Sequence, residues 1–261
     1  MTQIPHRLRL RSRAVPAALT LVVFAATAAL AGGGQAAAAV TAAAGSTPVT
    51  SLHWVGYTFD VGHVTGVRAH WTEPHVTGKA GSEEFVWIGI GGWNQADYNI
   101  IQDGTFAYFP SAGVRNEGVW WERVPVDPEA LFPGVPVGPG DHISAAITLL
   151  PGKGNRWRMT VDDTTSGASW AMTVRFKSME VYPSFVVEDP DEDAAGPNGP
   201  FYPFARWRSV TFTSAAVRVR GAWVPIARLS GALRVNMVRG RRTLATAGAV
   251  SKRSSFTVRQ R

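Results

Sequence analysis

From Ser51 onward the chain runs in short stretches of alternating or continuous apolar residues, each closed by Gly, Pro, Asn, Asp or a small polar cluster. The stretches are HWVGYTF (53–59), VTGVRAHW (64–71), EFVWIGIG (84–91), YNIIQDG (98–104), GVWWERVPV (118–126) and DHISAAITLL (141–150). RWRMTVDD (156–163), SWAMTVRF (169–176), PSFVVED (183–189), RWRSVTFT (206–213), ALRVNMV (232–238) and SSFTVRQ (254–260) complete the series. A period of two sends successive side chains to opposite faces of a strand, so each stretch predicts a buried or half-buried β-strand. LPGKGN, DDTTSG and SKRSS separate neighbouring stretches at hairpin distance. No stretch keeps a helical period over three turns, and no repeat of fixed period is present. The pattern predicts an all-β, antiparallel sandwich or barrel.

Alternation also assigns faces. In YNIIQDG, Tyr98, Ile100 and Gln102 share one face, with Asn99 and Ile101 on the other. In PSFVVED, Ser184, Val186 and Glu188 lie together, opposite Phe185 and Val187. In GVWWERVPV, Trp120, Glu122 and Val124 oppose Trp121 and Arg123, so one tryptophan is expected in the core and its neighbour beside a surface groove. The residues alone leave two readings for each polar position. Gln102 is a strand-edge residue or a functional amide, and Glu188 opens a solvated loop or serves as a base. Glu122 is a second active-site carboxylate or the partner of an arginine.

Before Ser51 the pattern changes. MTQIPHRLRLRSR carries four arginines and no acid, and it leads into an apolar run from Ala14 to Ala31 that ends in small residues. This is the layout of a signal peptide, residues 1–31, and it predicts a secreted, extracellular product with no stable membrane insertion after cleavage. An uncleaved anchor is the rival reading, but no charged cluster follows the run. Residues 32–50 form an Ala/Gly/Thr-rich linker, and residues 51–261 suffice for a single domain. The chain has no cysteine, so neither a disulfide framework nor thiolate chemistry is available to it.

The net charge of +7 conceals an uneven distribution. Residues 51–216 hold eleven basic and nineteen acidic residues, whereas the segment after Ala216 holds eleven basic residues and no acid. There the basic residues are interleaved with apolar ones, as in AVRVRGAWVPIARLSGALRVNMV. That predicts amphipathic strands with a cationic outer face, not a nucleic-acid partner, and a monomer is the default state.

Several chemistries find no motif. G-x-S-x-G, H-E-x-x-H and phosphate-binding glycine loops are absent, and His63, His70 and His75 have no common zinc spacing. The loop after Glu188 carries Asp189, Asp191, Glu192 and Asp193, but it lacks the turn glycine and closing glutamate of a calcium-binding hand. The expectation is no metal and no cofactor.

Three segments, FVWIGIGG, NIIQDG and SFVVEDP, with HWVGY before them and FYPFARWRSVTFTSA after, resemble in order and spacing the glutamic peptidases, the eqolisin group of acid endopeptidases. The likeness runs over nearly all of residues 51–261. It implies a β-sandwich of two large curved antiparallel sheets, concanavalin-like in form, acting on polypeptide substrates. It also implies a catalytic pair, Gln102 and Glu188, with Trp54, Trp87, Trp120 and Glu122 lining the substrate site. In such a pair Glu188 activates water and returns the proton to the leaving amine, while the non-titrating amide of Gln102 stabilises the oxyanion at low pH. Two departures bear on acid action. Gly91 stands where the family's typical enzyme has an aspartate, and Ser184 where it has a glutamate. Fewer carboxylates nearby means less like-charge repulsion on Glu188. The competing readings are a glycoside hydrolase using Glu122 and Glu188, and an inactive β-sandwich that binds protein or carbohydrate through its aromatic groove.

Overall fold

The computed structural model describes residues 48–93, 99–132, 135–152, 154–190 and 201–261. Within them lie sixteen strands. They are β1 (Val49–Ser51), β2 (Trp54–Phe59), β3 (Val64–Thr72), β4 (Glu83–Gly91), β5 (Ile100–Ser111), β6 (Val114–Val124), β7 (Asp127–Phe132) and β8 (His142–Leu149). The series continues with β9 (Arg156–Asp163), β10 (Ser169–Arg175), β11 (Pro183–Glu188), β12 (Ser209–Val219), β13 (Ala222–Pro225), β14 (Ala232–Arg239), β15 (Arg242–Ala247) and β16 (Phe256–Gln260). The only helical element among the described residues is a 3₁₀ turn at Ile226–Arg228. Each stretch identified from alternation contains a strand, although Pro125, Val126, Arg206–Arg208, Ser254 and Ser255 fall outside the strands and Tyr98 lies outside the described residues. The leader and residues 32–47 of the linker lie outside the described residues, while Val49 and Thr50 belong to β1, which pairs in parallel with β14.

The strands follow the order β10-β9-β8-β3-β12-β16-β15-β14-β2-β11-β4-β5-β6-β7, and β12 joins the two halves. Its first residues, Ser209–Phe212, pair with β16, and from Thr213 onward it pairs with β3. Between Thr213 and Ala216 the register slips, and Ser214 takes a left-handed φ of 51°. That bend lets one strand leave the first sheet and enter the second.

The two sheets enclose one large core. Val55, Tyr57 and Phe59 of β2, Val86, Ile88 and Ile90 of β4, and Phe185 and Val187 of β11 face Val67, Ala69 and Trp71 of β3 and Ile143, Ala145 and Ile147 of β8. The pattern is the predicted one, with every second residue inward. Trp121 lies in this core, on the inner face of β6.

A second, separate apolar cluster explains the continuous hydrophobicity of β4 and β11. Phe85, Trp87, Ile100, Phe106, Trp120 and Val186 pack together, with Trp54, Tyr108 and Val124 at their margin. These are the alternate residues of β4, β5, β6, β11 and β2, so they occupy the face turned away from the second sheet. Gly104 makes room for this packing. A Cβ there would stand 2.0 Å from the Val86 carbonyl oxygen and 2.7 Å from the Trp87 Cα. No other residue permits so close an approach of β5 to β4.

Candidate active site

Strand pairing carries the outer face from β2 to β6. Trp54 pairs with Glu188, Glu188 with Phe85, Trp87 with Gly104, Gly89 with Gln102, and Gln102 with Glu122. All six site residues expected from the sequence therefore stand on one face, drawn from five strands. Glu188 and Gln102 lie two strands apart, displaced by four residues along β4, with Trp87 between them.

Trp87 is fully buried, and its indole Nε1 donates to Glu188 Oε2 at 2.8 Å. The far edge of the ring lies over Gly89, its Cζ3 3.0 Å from where a Cβ would sit there. The Gln102 Cβ approaches the same point within 3.1 Å. One indole thus reaches from the carboxylate to the base of the glutamine. Trp54 meets the Trp87 ring edge-on, with centroids 5.0 Å apart, and fixes it from the β2 side.

Gln102 is 5% exposed. Its amide Nε2 donates to Glu122 Oε2 at 2.7 Å, which accounts for one of its two N–H groups. A carboxylate only accepts, so an ionised Glu122 orients the amide with nitrogen toward β6. The Gln102 carbonyl oxygen Oε1 is buried and has no hydrogen-bond partner among the described residues. Trp120 stands on this face as alternation predicted, but Phe85 covers it at 4.7 Å, leaving 2% of it exposed. Of the aromatic site residues, Trp54 is the one at the margin of the cluster.

A polar girdle surrounds the end of β11. The Asp189 carboxylate is bound by Arg239 at 2.5 Å, and Arg239 also donates to the Leu52 carbonyl at 3.0 Å and stacks on Phe201 at 3.7 Å. His53 meets the Asp189 carbonyl through Nδ1 at 3.3 Å. Glu83, on the outer face two residues before Phe85, is a carboxyl that the sequence reading passed over. Burial and the negative charge of Asp189 push it up to about 7. Alternation through EEFVW was the signal, since it places Glu83 with Phe85 and Trp87.

The two departures have local causes. Gly91 adopts φ 102° and donates its N–H to Tyr182, a conformation that a side chain makes costly. Ser184 is buried, with its hydroxyl 3.0 Å from Thr58 Oγ1 and 3.2 Å from the Tyr182 carbonyl oxygen. Glu122 and Glu188 are three strand positions apart, roughly 14 Å across the sheet, which does not suit the ~5 Å separation of a retaining glycosidase pair. His63, His70 and His75 are exposed. No cluster of three or more metal-ligating side chains occurs among the described residues. Asp191, Glu192 and Asp193 lie outside them.

The profile of the Peptidase A4 family matches residues 52–260. Among solved structures, scytalidoglutamic peptidase with a transition-state analogue inhibitor superposes with a TM-score of 0.66 at 21% identity, covering 80% of this chain and 98% of that one. An eqolisin peptidase in complex with the tripeptide Ala-Ile-His gives 0.62 at 19% identity, with the same coverage of both chains. Aspergilloglutamic peptidase from Aspergillus niger gives 0.55 at 22% identity over 69% of this chain and 99% of that one. At these identities the structural likeness is one of fold. No curated protein matches the chain by sequence.

Proposed function

The chain belongs to the Peptidase A4 family of peptide hydrolases, the eqolisins, and from that premise we propose that it cleaves polypeptides through Glu188 and Gln102 at acid pH. Glu188 takes a proton from water as the water oxygen bonds to the scissile carbonyl carbon. The N–H of Gln102 not engaged by Glu122 donates to the oxygen on which negative charge develops. Glu188 then returns the proton to the leaving nitrogen, the C–N bond breaks, and a carboxylic acid and an amine result. Trp87 holds Glu188 through its indole N–H, Glu122 orients the amide, and Trp54 offers the apolar edge for substrate side chains.

The observation that carries the reading is the state of Gln102. A glutamine 5% exposed, on an apolar face, with its carbonyl oxygen unpartnered and one N–H engaged by a carboxylate, is costly unless a substrate or water completes its bonds. Because an amide does not titrate, it keeps its donor at a pH where a histidine would be charged. The leader pattern of residues 1–31 supports export, so the proposed working place is extracellular.

The purified protein is incubated with a denatured protein from about pH 2 to about pH 7, with pepstatin present, beside Glu188→Gln and Gln102→Ala. Cleavage by the parent and a loss of about 10²–10³-fold in kcat for Gln102→Ala are expected, with Glu188→Gln at least as severe. Cleavage that survives in either variant overturns the pair. No cleavage by the parent points instead to a binding β-sandwich.

A further inference from the structure

At the end of β4 the chain does not run on in the direction of the strand. Gly91 and Gly92 take left-handed φ values of 102° and 76°. Gly92 lies against Ile100, where an added Cβ would stand 3.0 Å from both the Ile100 Cβ and Cδ1. Ile100 belongs to the outer-face cluster, so the turn brings the backbone over the face that carries Glu188 and Gln102. Trp93 shows how far it returns. Register sets Gly91 level with Asp60, six residues beyond Trp54 and two strands away from it, roughly 20 Å in all. Continuing the strand would take Trp93 further still. Instead its ring centroid lies 6.2 Å from that of Trp54, the planes tilted by 35°. Trp93 therefore reaches back across the outer face.

The positions beneath this path are small. Gly89 on β4, Ser184 on β11, and Gly56 and Thr58 on β2 occupy the outer face between the Trp54–Trp87 pair and the turn, and all four are buried. Trp54 and Trp93, by contrast, are each only half-buried. Trp54 is level with Glu188 on the neighbouring strand, and its ring meets that of Trp87, which holds Glu188 through the indole N–H. Two half-exposed indoles side by side, one of them opposite the base, present an apolar surface continuous with the reacting groups. A large apolar side chain laid against it removes water from both rings, and an aromatic one adds stacked or edge-on contacts.

We propose that Trp93 is a specificity-determining residue that forms, with Trp54, an aromatic subsite for a large apolar side chain, aromatic above all, on a substrate residue close to the scissile bond. The proposal rests on the peptidase reading, with Glu188 at the bond that is cut. It also gives Gly91 a role of its own, since a left-handed glycine there begins the turn that delivers Trp93.

The test uses peptides with one scissile bond and a single variable residue, Ala, Leu or Phe, placed in turn at each of the positions nearest the bond on either side. Wild type, Trp93→Phe and Trp93→Ala are compared at one acid pH. The readout is the ratio of kcat/KM for the Phe peptide to that for the Ala peptide within each protein, so a difference in the fraction of active protein cancels. In the wild type this ratio is expected to reach about tenfold or more at one position, with Leu between. Trp93→Ala lowers it by about three- to tenfold at that position and leaves the ratios at the others as they were, while Trp93→Phe lowers it by less than about twofold. A wild type with no preference at any position overturns the subsite. So does a ratio that Trp93→Ala leaves unchanged, whether its rates match the wild type or fall uniformly on every peptide, because a residue that only packs affects all substrates alike. Either result leaves the peptidase reading standing. Hydrolysis of no peptide by the wild type overturns both.

Discussion

Trp87 shows how much a single side chain carries at this site. Its ring is fully buried, its N–H is given to Glu188, and its far edge lies over Gly89 beside Gln102. A donor aimed at a carboxylate favours the charged form. Trp87→Phe removes that donor and keeps an aromatic ring, so Glu188 should hold its proton to higher pH. The acid limb of the kcat/KM profile is expected to move to higher pH, with the plateau less affected. An unmoved limb would show that the indole packs but does not tune the base. Of this, the sequence alone makes the faces legible and not the bonds. Alternation places Gln102 and Glu188 correctly on their strands, but residues 101 positions apart meet in the Trp87–Glu188 bond, and only the pairing of β11 with β4 creates it. Glu83 was missed because an acidic pair at the start of a strand reads as a solvated end. Only the neighbouring Asp189 and the burial on that face reveal what it becomes.

At the scale of elements, pattern was enough where a strand carries its own signal. Strict alternation bounds β9, RWRMTVDD, to the residue, and apolar runs between breakers bound β2, β4 and β11 to within one residue. The strands that alternation does not mark are VTS, DPEALF and RTLATA, short or polar segments whose strand state is imposed by a neighbour that needs partners for its backbone. The bend in β12 was equally invisible. Nothing in SVTFTSAAVRV announces that it leaves one sheet for another, yet Ser214 at φ 51° is where it happens. That geometry yields a specific expectation. Ser214 is exposed, so Ser214→Val loses no core contact, but a β-branched residue strains the left-handed backbone. Stability to urea should fall by about 1–2 kcal/mol, whereas Val at the neighbouring exposed strand position Thr213 should be near neutral. Equal effects at the two positions would mean that the bend is not where the strain resides.

For the whole molecule, the unusual feature is the chemistry of the inter-sheet core. Glu73, Glu84 and Asp103 are all buried between the sheets, at 3%, 1% and 0% exposure. Glu73 receives Trp71 Nε1 and Thr105 Oγ1, whereas neither oxygen of Glu84 or Asp103 has a hydrogen-bond partner among the described residues. Burial dominates all three and raises them. Glu73 moves from its ordinary 4.5 to about 7, with its two donors and Arg115 opposing and Glu117 adding to the shift. The negative charges of Glu73 and Asp189 push Glu84 up further. Asp103 is raised chiefly by burial, with the negative charge of Asp162 adding to the shift. A carboxyl whose folded pKa is raised binds its proton more tightly in the native state, so its contribution to stability is complete below the unfolded value. That contribution is lost as pH rises through the folded value. The unfolding free energy should therefore decline between about pH 4.5 and about pH 7, by on the order of 3 kcal/mol from Glu73 alone. Urea unfolding at several pH values across that window measures the slope. Glu84→Gln removes one buried ionisation at nearly constant shape, so it should leave stability at low pH little changed, raise it near neutrality and flatten the slope. A profile that is flat or rises with pH would mean that these carboxyls enter the folded core already charged. A falling one would mean that the fold is most secure in the same acid range where an uncharged glutamine is the fitting oxyanion donor, so that core and site are matched to one condition.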